Sequence, residues 1–175
     1  GIAGRMTGTF GRVTTTSFFP AKPLGCYGDG GALFTDDDGL AQLLDSLRVH
    51  GKGSDKYDNV RVGLNSRLDT LQAAILSVKL SVYQEEIAAR DRVAARYGAR
   101  LANLVEVPFV PDGYESVWAQ YTVKLQSSQE RKAVQAHLAQ IGIPPAVYYP
   151  TPLHKQTVYR DYAADPQGLS TAERL

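Results

Sequence analysis

The sequence predicts an α/β chain built as the end of an α/β domain, a long connecting helix and a smaller α+β domain. Three observations carry this reading. Two short runs with strand character flank a proline- and glycine-rich loop near the start. From Arg67 onward, apolar residues recur at steps of three and four, with no proline before Pro108. Beyond that helix the order becomes strand, strand, helix and strand.

Val13 to Phe19 is β-branched and aromatic, which predicts a strand entering the loop "PAKPLGCYGDG". "GALFT", residues 31–35, predicts a second strand, and the pair is expected to belong to a parallel sheet covered by helices. Asp36, Asp37 and Asp38 then open a helix that runs to about Val49. Three acids in a row could hold a metal, but acids also suit the positive end of a helix dipole, and the latter is the expectation. "HGKGSDKYDNVRVGLNS" is polar and glycine-containing, hence a loop. Leu68, Leu71, Ile75, Val78 and Val82 begin the helical stripe, and Ile87, Ala94, Tyr97 and Leu101 continue it. A single helix of roughly 30 residues would be about 45 Å long, enough to bridge two packed bodies or to join an oligomer. "LVEVPFV" and "WAQYTVKL" follow as strands. "SSQERKAVQAHLAQIGI" reads as a helix capped by Ser127 or Ser128 and stopped near Gly142, and "PPAVYYPTPLH" as an extended segment.

Composition narrows the function classes. The 175 residues are 43% hydrophobic and 21% charged, which suits one globular domain or two incomplete ones. A net charge of +1 gives no electrostatic reason to expect nucleic acid or an anionic membrane as partner. No apolar run reaches the roughly 18 residues of a membrane span. The lone Cys26 cannot form an intrachain disulfide, so a reducing, cytoplasmic setting is expected. "GIAGRMTGTFGR" opens without an initiator methionine and "GLSTAERL" stops as a helix begins, so both ends read as cut from a longer chain.

Several motifs could carry chemistry. In "SFFPAKPLGCYGDGG" Lys22 lies between Pro20 and Pro23, with four glycines closely following. The glycines match neither a dinucleotide fingerprint nor a P-loop; they make turns or allow backbone to approach another surface. Lys22 itself is either an exposed or salt-bridged lysine or a nucleophile whose stem the phenylalanines desolvate. Cys26 is a rival nucleophile or a packing residue. In "NSRLD", Asn65 and Arg67 suit an anion, although Asn65 or Ser66 could equally cap the long helix. "VYYPTPLH" offers Tyr148, Tyr149 and His154 on a stiff segment. His50, His137 and His154 lack metal-ligand spacing, so no metal site is expected.

Taken in order, SFFPAKPLG, GDGGA, RVHG, GLNSRLDTLQAA and YYPTPLH resemble the DegT/DnrJ/StrS sugar aminotransferases, collinearly over nearly the whole chain. The resemblance implies a fragment of a fold type I transferase dependent on pyridoxal 5'-phosphate (PLP). Residues 1–87 would then be the closing part of the PLP-binding large domain, and residues 88–175 the small domain. It implies that Lys22 forms the Schiff base with PLP and that the Ser17 hydroxyl binds its phosphate. Asn65 would reach the phosphate of the neighbouring subunit's cofactor, making a homodimer with shared active sites. Arg67 matches an arginine near the substrate. Tyr148 and Tyr149 fall where members often carry a His-Tyr or similar pair touching the sugar; this chain has tyrosine at the first position.

The implied reaction is ping-pong transamination from an amino-acid donor, glutamate in most of the family, to a nucleotide-linked keto-sugar. "KPLGCYGDGG" looks most like enzymes acting on UDP-linked keto-sugars, among them a 3-keto uronic acid. Relatives that dehydrate sugars replace the lysine, typically by histidine, and Lys22 argues against that alternative. Lys22, Ser17, Asn65 and Arg67 together argue against a non-catalytic regulatory relative. The family's aspartate for the pyridine nitrogen and its ring-stacking aromatic lie upstream of Gly1, so these 175 residues alone are expected to be inactive.

Overall fold

A computed structural model describes residues 1–55, 57–163 and 165–174. The chain clusters into two compact units, Gly1–Arg100 with Pro108–Tyr121 and Leu101–Val107 with Thr122–Leu175. The boundary expected at residues 87 and 88 falls inside a helix of the first unit.

In the first unit, strands β1 (Thr14–Ser17) and β2 (Gly31–Phe34) pair antiparallel, with Thr14 opposite Phe34 and Ser17 opposite Gly31. The expectation of a parallel sheet is corrected for this pair. The connection contains no helix to carry the chain back across the sheet, and only a crossover could make the strands parallel. Residues 18–30 instead fold back on themselves at the end of a two-stranded ribbon.

Helix α1 (Asp38–Arg48) starts as its acids imply. Asp37 is the N-cap: its carboxylate accepts from the Leu40 amide at 2.9 Å and pairs with Arg12 at 2.9 Å. The Leu40 amide first, and Arg12 second, hold this carboxyl below its ordinary range. At the other end, Gly51 takes φ +74° so closely packed on the Arg61 carbonyl that no side chain would fit. Leu64 donates to Leu47, His50 to Leu64 and Ser66 to Arg48, so residues 47–51 and 63–66 run antiparallel.

The single long helix divides in two, α2 (Thr70–Ser81) and α3 (Tyr83–Leu101). Val82, at φ −108° and ψ 4°, is the break. The Ser81 hydroxyl donates to the Val78 carbonyl at 2.7 Å, the acceptor that the Val82 amide would otherwise use. That amide turns to Lys79 instead. A serine competing locally with the backbone is thus the physical reason for the break.

The buried face of α2 also differs from the expected stripe. Leu71 and Val78 are 76% and 71% exposed, whereas Leu76 is buried. On α3, Ala94 is buried, and Tyr97 packs on Tyr121 with ring centroids 5.1 Å apart. Trp118 donates from its indole to Asp91 at 2.8 Å and accepts from Arg90 at 3.2 Å, holding residues 116–121 on this helix.

The strands expected at 104–110 and 118–125, each shared between the two units, do not form among the described residues. Glu106 and Lys124 make one isolated antiparallel bridge, reinforced by their side-chain ion pair. The third expected strand carries Pro144, Pro145, Pro150 and Pro152, none of which can donate to a ladder. Helix α4 (Ser128–Gln140) follows its sequence signals closely. The Ser127 hydroxyl accepts from the Glu130 amide, and the Glu130 carboxylate accepts from the Gln126 amide. Gly142, at φ +77°, donates to Ala139, and Ile143 donates to Leu138, closing the helix end in a Schellman turn. The short helix α5 (Ser170–Arg174) is tied back through Glu173 to His154 at 3.1 Å and Lys155 at 3.0 Å.

Candidate active site

The loop of residues 18–30 is held at its base and free at its tip. The Phe18 amide donates to Gly30, and Cys26 returns a backbone bond to Phe18, both at 2.8 Å. The fully buried Cys26 thiol lies 3.0 Å from the carbonyls of Phe18 and Gly28. Cys26 is therefore a packing residue with no exposed sulfur for a nucleophile. A Cβ at Gly25 would stand 2.6 Å from the Phe19 carbonyl and 2.7 Å from that of Pro20, so this close approach requires glycine.

Above this base sits Lys22, whose amide donates to Phe19 at 2.8 Å to close a turn. Its side chain is exposed. No hydrogen bond or ion pair reaches its ammonium among the described residues. Lys52, Lys79, Lys124 and Lys155, by contrast, have engaged ammonium groups. Ser17 stands at the entry to the loop, its oxygen accepting from the Phe19 amide at 3.2 Å and its own proton uncommitted.

Asn65 and Arg67 belong to the arm leading into α2. Asn65 forms an isolated bridge with Val49. The N-cap of α2 is Asp69, so the capping role open to Asn65 or Ser66 is not used. Neither the Asn65 amide nor the Arg67 guanidinium has a bond among the described residues. Both line a groove with Asp29, Gly30 and strand β2, a groove that Ser17 and Lys22 do not line. Tyr148 and Tyr149 lie in the second unit, edge to face at 5.4 Å and exposed. Asn65 and Arg67 thus share one groove of the first unit, and Tyr148 and Tyr149 pack on each other in the second.

Two further residues hold the Lys22 loop, Gln72 within the motif GLNSRLDTLQAA and Lys79 beyond it. Gln72 accepts from the Tyr27 amide at 2.8 Å, and Lys79 donates to the Gly25 carbonyl at 2.6 Å. Neither was singled out from the sequence, where their joint signal is spacing, since i and i+7 share a helix face.

The residues present fit PLP. An unpaired primary amine, a free hydroxyl proton, a free amide and a free guanidinium are the donors that an aldehyde and a phosphate would engage.

Comparison with known proteins agrees. The family model for the DegT/DnrJ/EryC1/StrS aminotransferases matches residues 1–175. The UDP-2-acetamido-2-deoxy-3-oxo-D-glucuronate aminotransferase of Pseudomonas aeruginosa is 49% identical over 174 residues, covering 98% of this chain and 47% of that protein. A DegT/DnrJ/EryC1/StrS aminotransferase from Brucella abortus superposes with a TM-score of 0.93 at 51% identity, over 98% of this chain and 45% of its own. NtdA of Bacillus subtilis, solved with bound cofactor PMP, has a TM-score of 0.79 at 30% identity, over 89% of this chain and 38% of its own. The chain spans about half the length of the curated relatives it matches. The family's aminotransferases depend on PLP. The chain belongs to the DegT/DnrJ/EryC1/StrS aminotransferase family.

Proposed function

We propose that the full-length protein is a PLP-dependent aminotransferase that moves an amino group from glutamate to a UDP-linked 3-keto sugar, with a 3-keto uronic acid as the leading substrate. The observation that carries this reading is the unpaired Lys22 amine on a turn whose base is hydrogen-bonded and closely packed. The uronate assignment is supported by the 49% identity to the Pseudomonas enzyme, whose name specifies a 3-oxo-glucuronate.

PLP, when bound, supplies the electron sink for the carbanion chemistry of transamination. Lys22 would hold the cofactor through its Nζ, and its amine would accept and return the proton at the reacting substrate carbon. The Ser17 hydroxyl donates to phosphate, its orientation set by the bond it accepts from Phe19. Arg67 offers a planar fork to a carboxylate, carried by both glutamate and a uronic acid. Tyr148 and Tyr149 contact the sugar. Asn65 serves the neighbouring subunit's phosphate in a homodimer. The buried reduced thiol of Cys26 suits a cytoplasmic enzyme.

Borohydride reduction of the full-length protein with PLP, followed by peptide mapping, should place the pyridoxyl group on Lys22. In a separate sample that is not reduced, glutamate and the UDP-linked 3-keto uronic acid should yield the amino sugar by mass spectrometry. A label on another lysine, or no amination, would overturn the reading. Site sharing has its own test. Lys22→Ala mixed with Asn65→Ala subunits should regain activity, because one site of the heterodimer retains both residues.

A further inference from the structure

We propose that Gln72 and Lys79 of α2 are positioning residues for Lys22, and that α2 ties the Lys22 loop to the Asn65–Arg67 arm as one mechanical unit. The inference rests on the proposed role of Lys22.

Gln72 and Lys79 of α2, with Leu68 from the arm just before it, contact the loop. Leu68 packs so tightly on Gly30 that a Cβ there would come 2.9 Å from its Cδ1. Gln72 takes the Tyr27 amide at 2.8 Å through its carbonyl oxygen, and a Cβ on Gly28 would lie 3.2 Å from its nitrogen. Leu76 is the buried residue of α2. Lys79 donates to the Gly25 carbonyl at 2.6 Å, with its ammonium 5.1 Å from the Tyr27 ring centroid. Positions 72, 76 and 79 follow one helix face, and the Gln72 and Lys79 anchors lie about 10 Å apart along the axis.

The anchors hold the descending limb of the loop, Gly25 to Gly28, whose other bonds run to Phe18. Lys22 lies on the short arch between Phe19 and Gly25. Its ammonium receives no direction from a partner among the described residues, so the placement of Nζ is inherited from the two feet of the arch. The ascending foot belongs to β1 and the descending foot to α2. Arg67 precedes Leu68 directly, so a displacement of α2 moves Arg67 and the arch together.

Hydrogen bonding, rather than bulk, is the testable element. In full-length protein loaded with PLP, Gln72→Leu and Lys79→Met should each lower kcat about tenfold, leaving the KM for the sugar within about twofold, as expected for a misplaced reacting group. The pH midpoint of the cofactor's visible absorption band should shift by at least about 0.5, because the environment of the Lys22 nitrogen changes. Hydrogen exchange at the Tyr27 amide should quicken in Gln72→Leu. Gln72→Glu, which keeps an acceptor oxygen at the same reach, and Lys79→Arg, which keeps a donor cation, should restore the midpoint and most of kcat. Faster Tyr27 exchange with kcat and midpoint unchanged would overturn the positioning role and leave a structural bond. Failure of Glu and Arg to rescue would also overturn it. A wild-type protein with no absorption band and no label on Lys22 would overturn both this inference and the aminotransferase reading. A normal wild-type band with unaffected variants would remove this inference alone.

Discussion

Two segments of this chain combine prolines, aromatics and candidate site residues. Residues 17–31 bear Ser17 and Lys22; residues 143–154 bear Tyr148 and Tyr149. The first is bound at almost every step after the arch, by Phe18, Cys26, Gly30, Gln72 and Lys79. In the second, no backbone hydrogen bond reaches residues 144–151 among the described residues, and the two tyrosines contact each other. Proline restricts φ locally in both. Only tertiary hydrogen bonds and close glycine packing fix where a side chain stands. The difference suits the proposed roles: the chemistry needs one amine held in place, whereas a sugar-facing surface can be ordered by its ligand.

The largest expected effect lies in the arch. Lys22→Ala in the full-length enzyme should lower kcat/KM by about 10³-fold or more through loss of the proton carrier. The protein should stay folded, because no other described residue depends on the Lys22 side chain for a bond. Loss of activity with a circular dichroism spectrum and a Tm unlike wild type would place the lysine in the packing instead.

Next comes Gly25→Ala. The added methyl meets two carbonyls under 3 Å, so a destabilisation of about 1–3 kcal/mol is expected by denaturant titration. Gly142→Ala offers the control, since a Cβ there has nothing within 4 Å and only its φ of +77° opposes it. Its cost should be about 1 kcal/mol. Equal costs at the two positions would mean that the loop gives way and is less constrained than its bonds imply.

A smaller effect is expected at the tyrosines. Tyr148→Phe and Tyr149→Phe remove hydroxyls that bond to nothing among the described residues, so stability should change by no more than about 0.5 kcal/mol. The KM for the sugar should rise while that for glutamate stays constant. A Tm change larger than that of Gly142→Ala would show that this segment is anchored after all.

The smallest effect is pH-dependent and confined to the second unit. Lys155 first and His154 second hold the Glu173 carboxyl below its ordinary value of 4.5. A depressed carboxylate contributes stability that is present above its unfolded pKa and is lost as pH falls through the folded one. Exchange at residues 170–174 should therefore quicken below about pH 4.5, while the Lys22 loop, which uses no carboxylate, should be unaffected. Loosening of both together would dissolve the contrast between the segments.

Much was legible in the residues alone. The caps of α1 and α4 could be read because Asp37, Ser127, Glu130 and Gly142 act within four residues of the groups they satisfy. The family motifs could be read in order for the same reason: each is short and contiguous. The small-domain strands could not, since a strand exists only when a partner takes its donors, and Glu106 and Lys124 supply one bridge.

Helix α2 marks the limit most clearly. Its sequence alone determined that residues 70–81 are helical and that Leu71, Ile75 and Val78 share a face. Tertiary structure alone decided that Gln72 and Lys79 on the neighbouring face, with Leu68 just before the helix, meet the loop. The physical reason is the loop's own backbone. The Tyr27 amide and the Gly25 carbonyl require polar partners on a closely packed surface, and an apolar face has none to offer.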